Sequence, residues 1–262
     1  MRYSLFASDF DGTLLIDGEI PPGTREAVAA FRGAGGRFGI CSGRDDASLS
    51  HAVEKAGLEC DFLICLNGAQ VLVDGRTVEC RALEDGYTRC LPLLEERSVF
   101  YIIAAAGERV LWRSEGCPHI WGEPSMEEYL REITRGCALR GEPAELEGPA
   151  LQISCRLPDA AQATALSEAL RAMGFNACPN ERYVDIMAPG VDKAGGIERI
   201  CRHFGVPASR VAVIGDGQND IPMLQKFHSF AMARAAETVR RQASATAHSV
   251  GEALGRIQEE RA

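Results

Sequence analysis

Short apolar runs alternate with helix-patterned segments along the first part of this chain, and each run opens into a polar loop. Tyr3 to Ala7 is one such run. Thr24 to Ala34 has helical spacing and stops at Gly35-Gly36, and Arg37 to Cys41 is again short and apolar. Asp45 to Ala56 reads as a helix ended by Gly57, and Phe62 to Leu66, FLICL, reads as a strand buried on both faces. Strand, helix, strand, helix, strand predicts a parallel α/β sheet. Asp74-Gly75, between QVLV and RTVEC, predicts a hairpin that interrupts the alternation.

From Glu84 the pattern changes. A helix, a hairpin over YIIAAAGERVLWR, a capping box at Ser125 to Glu128, strand-like LQISCRL and a helix over Asp159 to Met173 predict a separate α+β unit. The first pattern resumes at Val184 with VDIMA, then a helix over Ala194 to Phe204 closed by Gly205, strand VAVIG, helix IPMLQKF, strand FAMA and two further helical stretches. The expected organisation is one α/β core, residues 1–83 and 183–262, interrupted by an inserted unit, residues 84–182. At 262 residues and 46% hydrophobic content the chain can fill a core for each.

Charge narrows the partners. Lys and Arg number 28 against 37 Asp and Glu, a net −9, and the basic residues are scattered, which argues against nucleic acid. MRYSLFASDF lacks an apolar stretch of signal-peptide length, and no uncharged run reaches a membrane span, so a cytoplasmic protein without a membrane partner is expected. None of the ten cysteines falls in a Cys-x-x-Cys spacing, so they read as reduced, small hydrophobes.

Ligand sites of open α/β sheets lie beyond the carboxyl ends of the strands. The loops expected there are DFDGT, CSGR, the stretch up to VDK, and GDGQND, which offer Asp9, Asp11, Ser42, Lys193, Asp216, Asn219 and Asp220. Carboxylates crowded into one cleft repel by about 4 kcal/mol per pair at 4 Å in an effective dielectric near 20. A positive charge must sit among them. Oxygen-only ligands without a His or Cys cluster favour Mg²⁺, and Lys193, Ser42 and Asn219 remain to hold anionic oxygens. That set describes phosphoryl transfer: Asp9 as nucleophile, Asp11 as general acid and base on the turn that Gly12 permits, Lys193 as neutralising cation. The phosphate-binding set is Ser42, Gly43, Lys193 and Asn219. Taken singly, an Asp-Gly pair is a turn, Ser42-Gly43 a helix cap and Lys193 a solvated side chain. Joint occurrence decides otherwise, since Asp-x-Asp-Gly-Thr arises by chance on the order of 10⁻⁵ per position.

These four segments resemble the motifs of the haloacid dehalogenase superfamily of phosphohydrolases. Asn67-Gly68-Ala69, the place of the insertion and GDGQNDIPML are similar to its Cof-type branch, subfamily IIB, with a C2-type α/β cap. The resemblance implies a Rossmann-like parallel-sheet core with an inserted α+β cap that closes over the substrate. It also implies Mg²⁺ held by Asp9, the backbone carbonyl of Asp11 and Asp216, with Asp220 in support. The expected activity is Mg²⁺-dependent hydrolysis of small phosphorylated metabolites through an aspartyl-phosphate. A phosphomutase and a non-catalytic phosphate-binding protein are the alternatives. Arg234 stands where the family usually has asparagine, AHSVGEAL lacks the usual acidic pair before its glycine, and Ala194 replaces a glycine. Arg234 is expected to be a surface charge rather than an anion contact. In the insertion, Asn180 and Arg182 are the expected substrate contacts, ahead of His119 and Trp121, which read as surface and core residues.

Overall fold

The computed structural model describes residues 2–84, 86–113 and 138–260. They divide into two compact units: Met1–Gly43, His51–Glu79 and Asp192–Ala262 form the first, and Arg44–Ser50 with Cys80–Val191 form the second. His119, Trp121 and the Ser125 to Glu128 capping box lie outside the described residues.

The first unit is built on an eight-stranded sheet. In chain order its strands are β1 (Leu5–Ser8), β2 (Arg37–Cys41), β3 (Phe62–Cys65), β4 (Gln70–Val73), β5 (Arg76–Cys80), and, after the insertion, β12 (Val211–Gly215), β13 (His228–Met232) and β14 (Ala245–Ala247). Every residue of β1 and β12 is buried, as continuous apolar runs in a two-sided parallel sheet require. The spatial order is β14-β13-β12-β1-β2-β3-β4-β5. Pairing is parallel from β14 through β3 and antiparallel between β3 and β4. Asp74 (φ 50°) and Gly75 (φ 71°) form the two-residue turn between β4 and β5, both in the left-handed region that tight hairpins need. Successive strands run one way from β1 to β3 and the other way from β12 to β14. The order therefore reverses at β1 and β12, and a crevice opens at their carboxyl ends.

The second unit carries six strands: β6 (Phe100–Ala105), β7 (Glu108–Arg113), β8 (Ala138–Arg140), β9 (Gln152–Arg156), β10 (Asn176–Asn180) and β11 (Tyr183–Met187), in the order β10-β11-β9-β6-β7-β8. All pairs are antiparallel except β7 with β8. Cys90 and Leu94 of helix Gly86–Arg97, and Leu166 and Leu170 of helix Ala160–Ala172, join Ile103, Ile153 and Ile186 in its core. Asp159 caps the latter helix, its side chain accepting from the Gln162 amide at 2.8 Å.

The expected boundaries of 83 and 183 need correction on both sides. Leu83 is buried in the core of the second unit, where its amide donates to the Ala150 carbonyl at 2.8 Å. Tyr183–Met187 does not resume the parallel sheet but pairs with β9 and β10, burying Val184 and Ile186 in the second core. A five-residue apolar run carries no record of which sheet it joins. The chain returns only at Asp192. The edge strand β10, NACPN, has no counterpart in the sequence pattern, and its Pro179 is tolerated because the strand lies at the sheet edge. Among the described residues no helix is long and apolar enough to cross a membrane.

Candidate active site

Asp9 follows the last residue of β1, and its amide donates to the Ile214 carbonyl of β12 at 2.9 Å, extending the ladder. The chain then turns. Phe10's carbonyl accepts from the amides of Leu14 at 3.1 Å and Leu15 at 2.8 Å. Gly12 holds φ 85°, and a Cβ there would lie 2.5 Å from Oδ2 of Asp216, so both the turn and the approach require glycine. Thr13 ties the two loops together, its Oγ1 donating to Oδ1 of Asp216 at 2.7 Å.

Lys193 opens helix Lys193–Phe204, whose cap is Asp192, and is completely buried. A buried ammonium in the first turn of a helix is opposed by desolvation and by the helix dipole. Two carboxylates compensate it: Nζ donates to Oδ1 of Asp9 and to Oδ1 of Asp220, each at 2.6 Å. Oδ2 of Asp220 in turn accepts from the amides of Asp216 and Gly217, both at 2.8 Å, which folds GDGQND back on itself. Asp220 thus has both oxygens engaged by nitrogen donors.

Asp9, Asp216 and Asp220 each place a carboxylate oxygen within 4.8 Å of the others. Lys193 pairs with Asp9 and Asp220, so its one charge does not balance the three carboxylates. Burial pushes the Asp9 carboxyl well above its ordinary range, Asp220 and Asp216 add to the push, and Lys193 opposes it. Burial likewise raises Asp216, against the pull of the Thr13 bond and the positive charges of Lys193 and Arg234. Burial pulls Lys193 down, but Asp220 and Asp9 outweigh it and hold the ammonium above its ordinary range. A surplus of negative charge on hard oxygen ligands suits a divalent metal ion, and this cluster could bind one.

Ser42 lies at the end of β2, buried, its amide donating to Ile64 at 2.8 Å and its carbonyl accepting from Asn67 at 2.9 Å. Gly43 follows it. Asn219 reaches across to Asn67, Nδ2 to Oδ1 at 2.9 Å. Gly68, at φ 102°, lies so close to the Asp192 carbonyl that a side chain has no room, and its own carbonyl accepts from buried Arg199. Asp11 is exposed on the turn. Asn180 and Arg182 belong to the second unit, at the connection between β10 and β11, where Arg182's carbonyl accepts from Leu157 at 2.8 Å. Sequence reasoning assigned no role to Thr13 or to Asn67 as a partner of Asn219. Asn67's signal was present, an Asn-Gly closing the buried run FLICL, and in the structure Asn67 takes the left-handed backbone at φ 52°. Arg234 is exposed, as expected of a surface charge, yet it donates to the Gly12 carbonyl at 2.5 Å.

A family model described as haloacid dehalogenase-like hydrolase matches residues 6–253. The 5-amino-6-(5-phospho-D-ribitylamino)uracil phosphatase YbjI of Escherichia coli (strain K12) is 28% identical over 252 residues, 91% of this chain and 88% of that protein. Among solved structures, the subclass IIB sugar phosphatase BT4131 superposes with a TM-score of 0.80 at 21% identity, over 97% of this chain and 99% of that one. A haloacid dehalogenase-like hydrolase from B. subtilis reaches 0.81 at 17% identity, over 98% and 100%. These structures share the fold, and the family match spans both halves of the eight-stranded unit together with the insertion between them. The chain belongs to the haloacid dehalogenase-like hydrolases, in their Cof-type branch.

Proposed function

We propose that the chain is a Mg²⁺-dependent phosphoric monoester hydrolase that cleaves small phosphorylated metabolites through an aspartyl-phosphate. The observation that carries this reading is the buried Lys193 bridging Asp9 and Asp220, with Asp216 beside them. Asp9, ionised against Lys193, attacks phosphorus as the bond to the alkyl oxygen breaks, and the Asp11 carboxyl gives its proton to that departing oxygen. Asp11, now a carboxylate, takes a proton from water. The resulting oxygen attacks the acyl-phosphate, releasing inorganic phosphate and restoring Asp9. Lys193, Ser42, Gly43 and Asn219 hold the phosphoryl oxygens, and the Asn67 bond fixes the Asn219 amide. Asp9, Asp216 and the carbonyl of Asp11 would hold Mg²⁺, braced by Asp220 through its bonds to Lys193 and two amides. When bound, the ion neutralises charge on the cluster and on the phosphate.

The Escherichia coli relative is a phosphatase of a phosphorylated ribitylamino compound, which supports a phosphomonoester of a polyol or sugar as substrate. The test is phosphate release across a panel of phosphorylated metabolites, with and without chelator. Activity should vanish in chelator, return with Mg²⁺, and leave an acyl-phosphate that hydroxylamine traps. Full turnover in excess chelator, or phosphoryl transfer only between positions of one sugar, overturns the reading.

A further inference from the structure

Arg234 is exposed, but the backbone around it is fixed. Its neighbours Ala233 and Ala235 both offer their carbonyls to Nη1 of Arg240, at 3.1 and 2.8 Å. Ala233's amide donates to Ala247 at 2.8 Å and Ala235's to Met232 at 2.9 Å. From this clamped turn the Arg234 guanidinium reaches the Gly12 carbonyl at 2.5 Å, and Gly12 is the residue packed so closely on Asp216 that a Cβ would stand 2.5 Å from its Oδ2. A permanent cation is thereby held, through Gly12, near enough to act on Asp216, which Lys193 does not bridge as it bridges Asp9 and Asp220.

We propose that Arg234 is a positioning residue of the divalent-cation site. It pins the turn after β1 through Gly12 and offsets part of the charge of Asp216, so the site holds its cation less tightly than the aspartates alone would. The inference rests on the reading of Asp9, Asp216 and Asp220 as a divalent-cation site. Its consequence is a weaker, more readily exchanged ion, since like charges at short range oppose one another and salt screens the effect.

The test uses the full chain without substrate and Mn²⁺ as the probe, with free Mn²⁺ read by electron paramagnetic resonance. Arg234→Gln should bind Mn²⁺ about threefold to tenfold more tightly at low salt, and the gain should shrink at about 0.5 M KCl. Arg234→Lys, which keeps the charge, should stay within about twofold of the parent. Equal or weaker binding by Arg234→Gln overturns the inference, as does a gain shared by the Lys variant. Unchanged Mn²⁺ affinity with weakened binding of inorganic phosphate also overturns it, in favour of an anion contact. Asp216→Asn separates the two levels: if the parent binds no Mn²⁺, or this variant binds as well as the parent, the metal reading itself falls.

Discussion

The two units treat buried charge in opposite ways. In the six-stranded unit, charges are dispersed and matched: Glu108 meets Arg140 and the amide of Glu147, and buried Arg109 meets Asp45. Bonds from Arg140 and from the amides of Glu147 and Gly148 hold the Glu108 carboxyl below the usual range. In the eight-stranded unit, three aspartates gather around one lysine at the strand ends and remain unbalanced. A fold under selection for stability alone would not keep such an excess, because each unmatched buried charge is costly. On the proposed reading, imbalance marks where chemistry is done, and balance marks where charge serves the fold.

The strongest way to break this comparison is the same amide swap in each unit. Asp9→Asn should lower turnover by about 10³-fold or more and abolish acyl-phosphate formation, with metal-free melting little changed. Glu108→Gln should do the reverse, lowering the melting temperature and sparing the chemistry. Turnover by Asp9→Asn within tenfold of the parent would refute the nucleophile. Next in size, Lys193→Met leaves two buried carboxylates without their cation. It should cost about 3–5 kcal/mol in denaturant unfolding without metal, and added Mg²⁺ should restore part of the loss. An unchanged unfolding midpoint would mean the pair contributes nothing.

Smaller and more selective effects are expected in the insertion. Asn180→Ala and Arg182→Ala should change kcat/KM by factors that differ about tenfold between phosphomonoesters, whereas Asp11→Asn should depress all of them together. Uniform losses across a metabolite panel would remove the division of labour between the units. The smallest effect concerns a matched charge within the eight-stranded unit itself. Burial would raise the Asp61 carboxyl, but bonds from Arg32, the Phe38 amide and Arg37 bring it below its ordinary 3.8. A depressed carboxyl stabilises above its unfolded value and loses that contribution as pH falls through the folded one. Asp61→Asn should therefore lower the melting temperature by about 2–4 °C at pH 7, with the gap closing towards pH 3. A gap that widens in acid would reverse the sign.

Much of this was readable from local pattern. β1, β2, β3 and β12 are continuous apolar runs, and Asp9, Ser42 and Asp216 each follow one of them directly or by a single residue. Lys193 was identifiable because an Asp-Lys pair opens an amphipathic helix after a long interruption. What escaped depends on pairing at a distance. Nothing in YVDIM states that it joins β9 rather than β12, and the edge strand NACPN carries no apolar alternation that would announce it. The bond from Arg234 to Gly12 spans 222 positions, and that from Asn219 to Asn67 spans 152. Such contacts follow from strand order, which periodicity does not record.

The place of β1 in its sheet sets a limit on motion. It is flanked on both sides by parallel neighbours, and the Asp9 amide is bonded to β12, so this amide should exchange with solvent hydrogen only when the whole unit opens. Asp11, two residues later, is exposed on the turn, where it forms an isolated bridge with Leu15. On the proposed mechanism the nucleophile, Asp9, is then a fixed point of its unit, and the proton donor, Asp11, stands on a surface turn two residues beyond it. In the proposed cycle, substrate and water come to Asp9 rather than Asp9 to them.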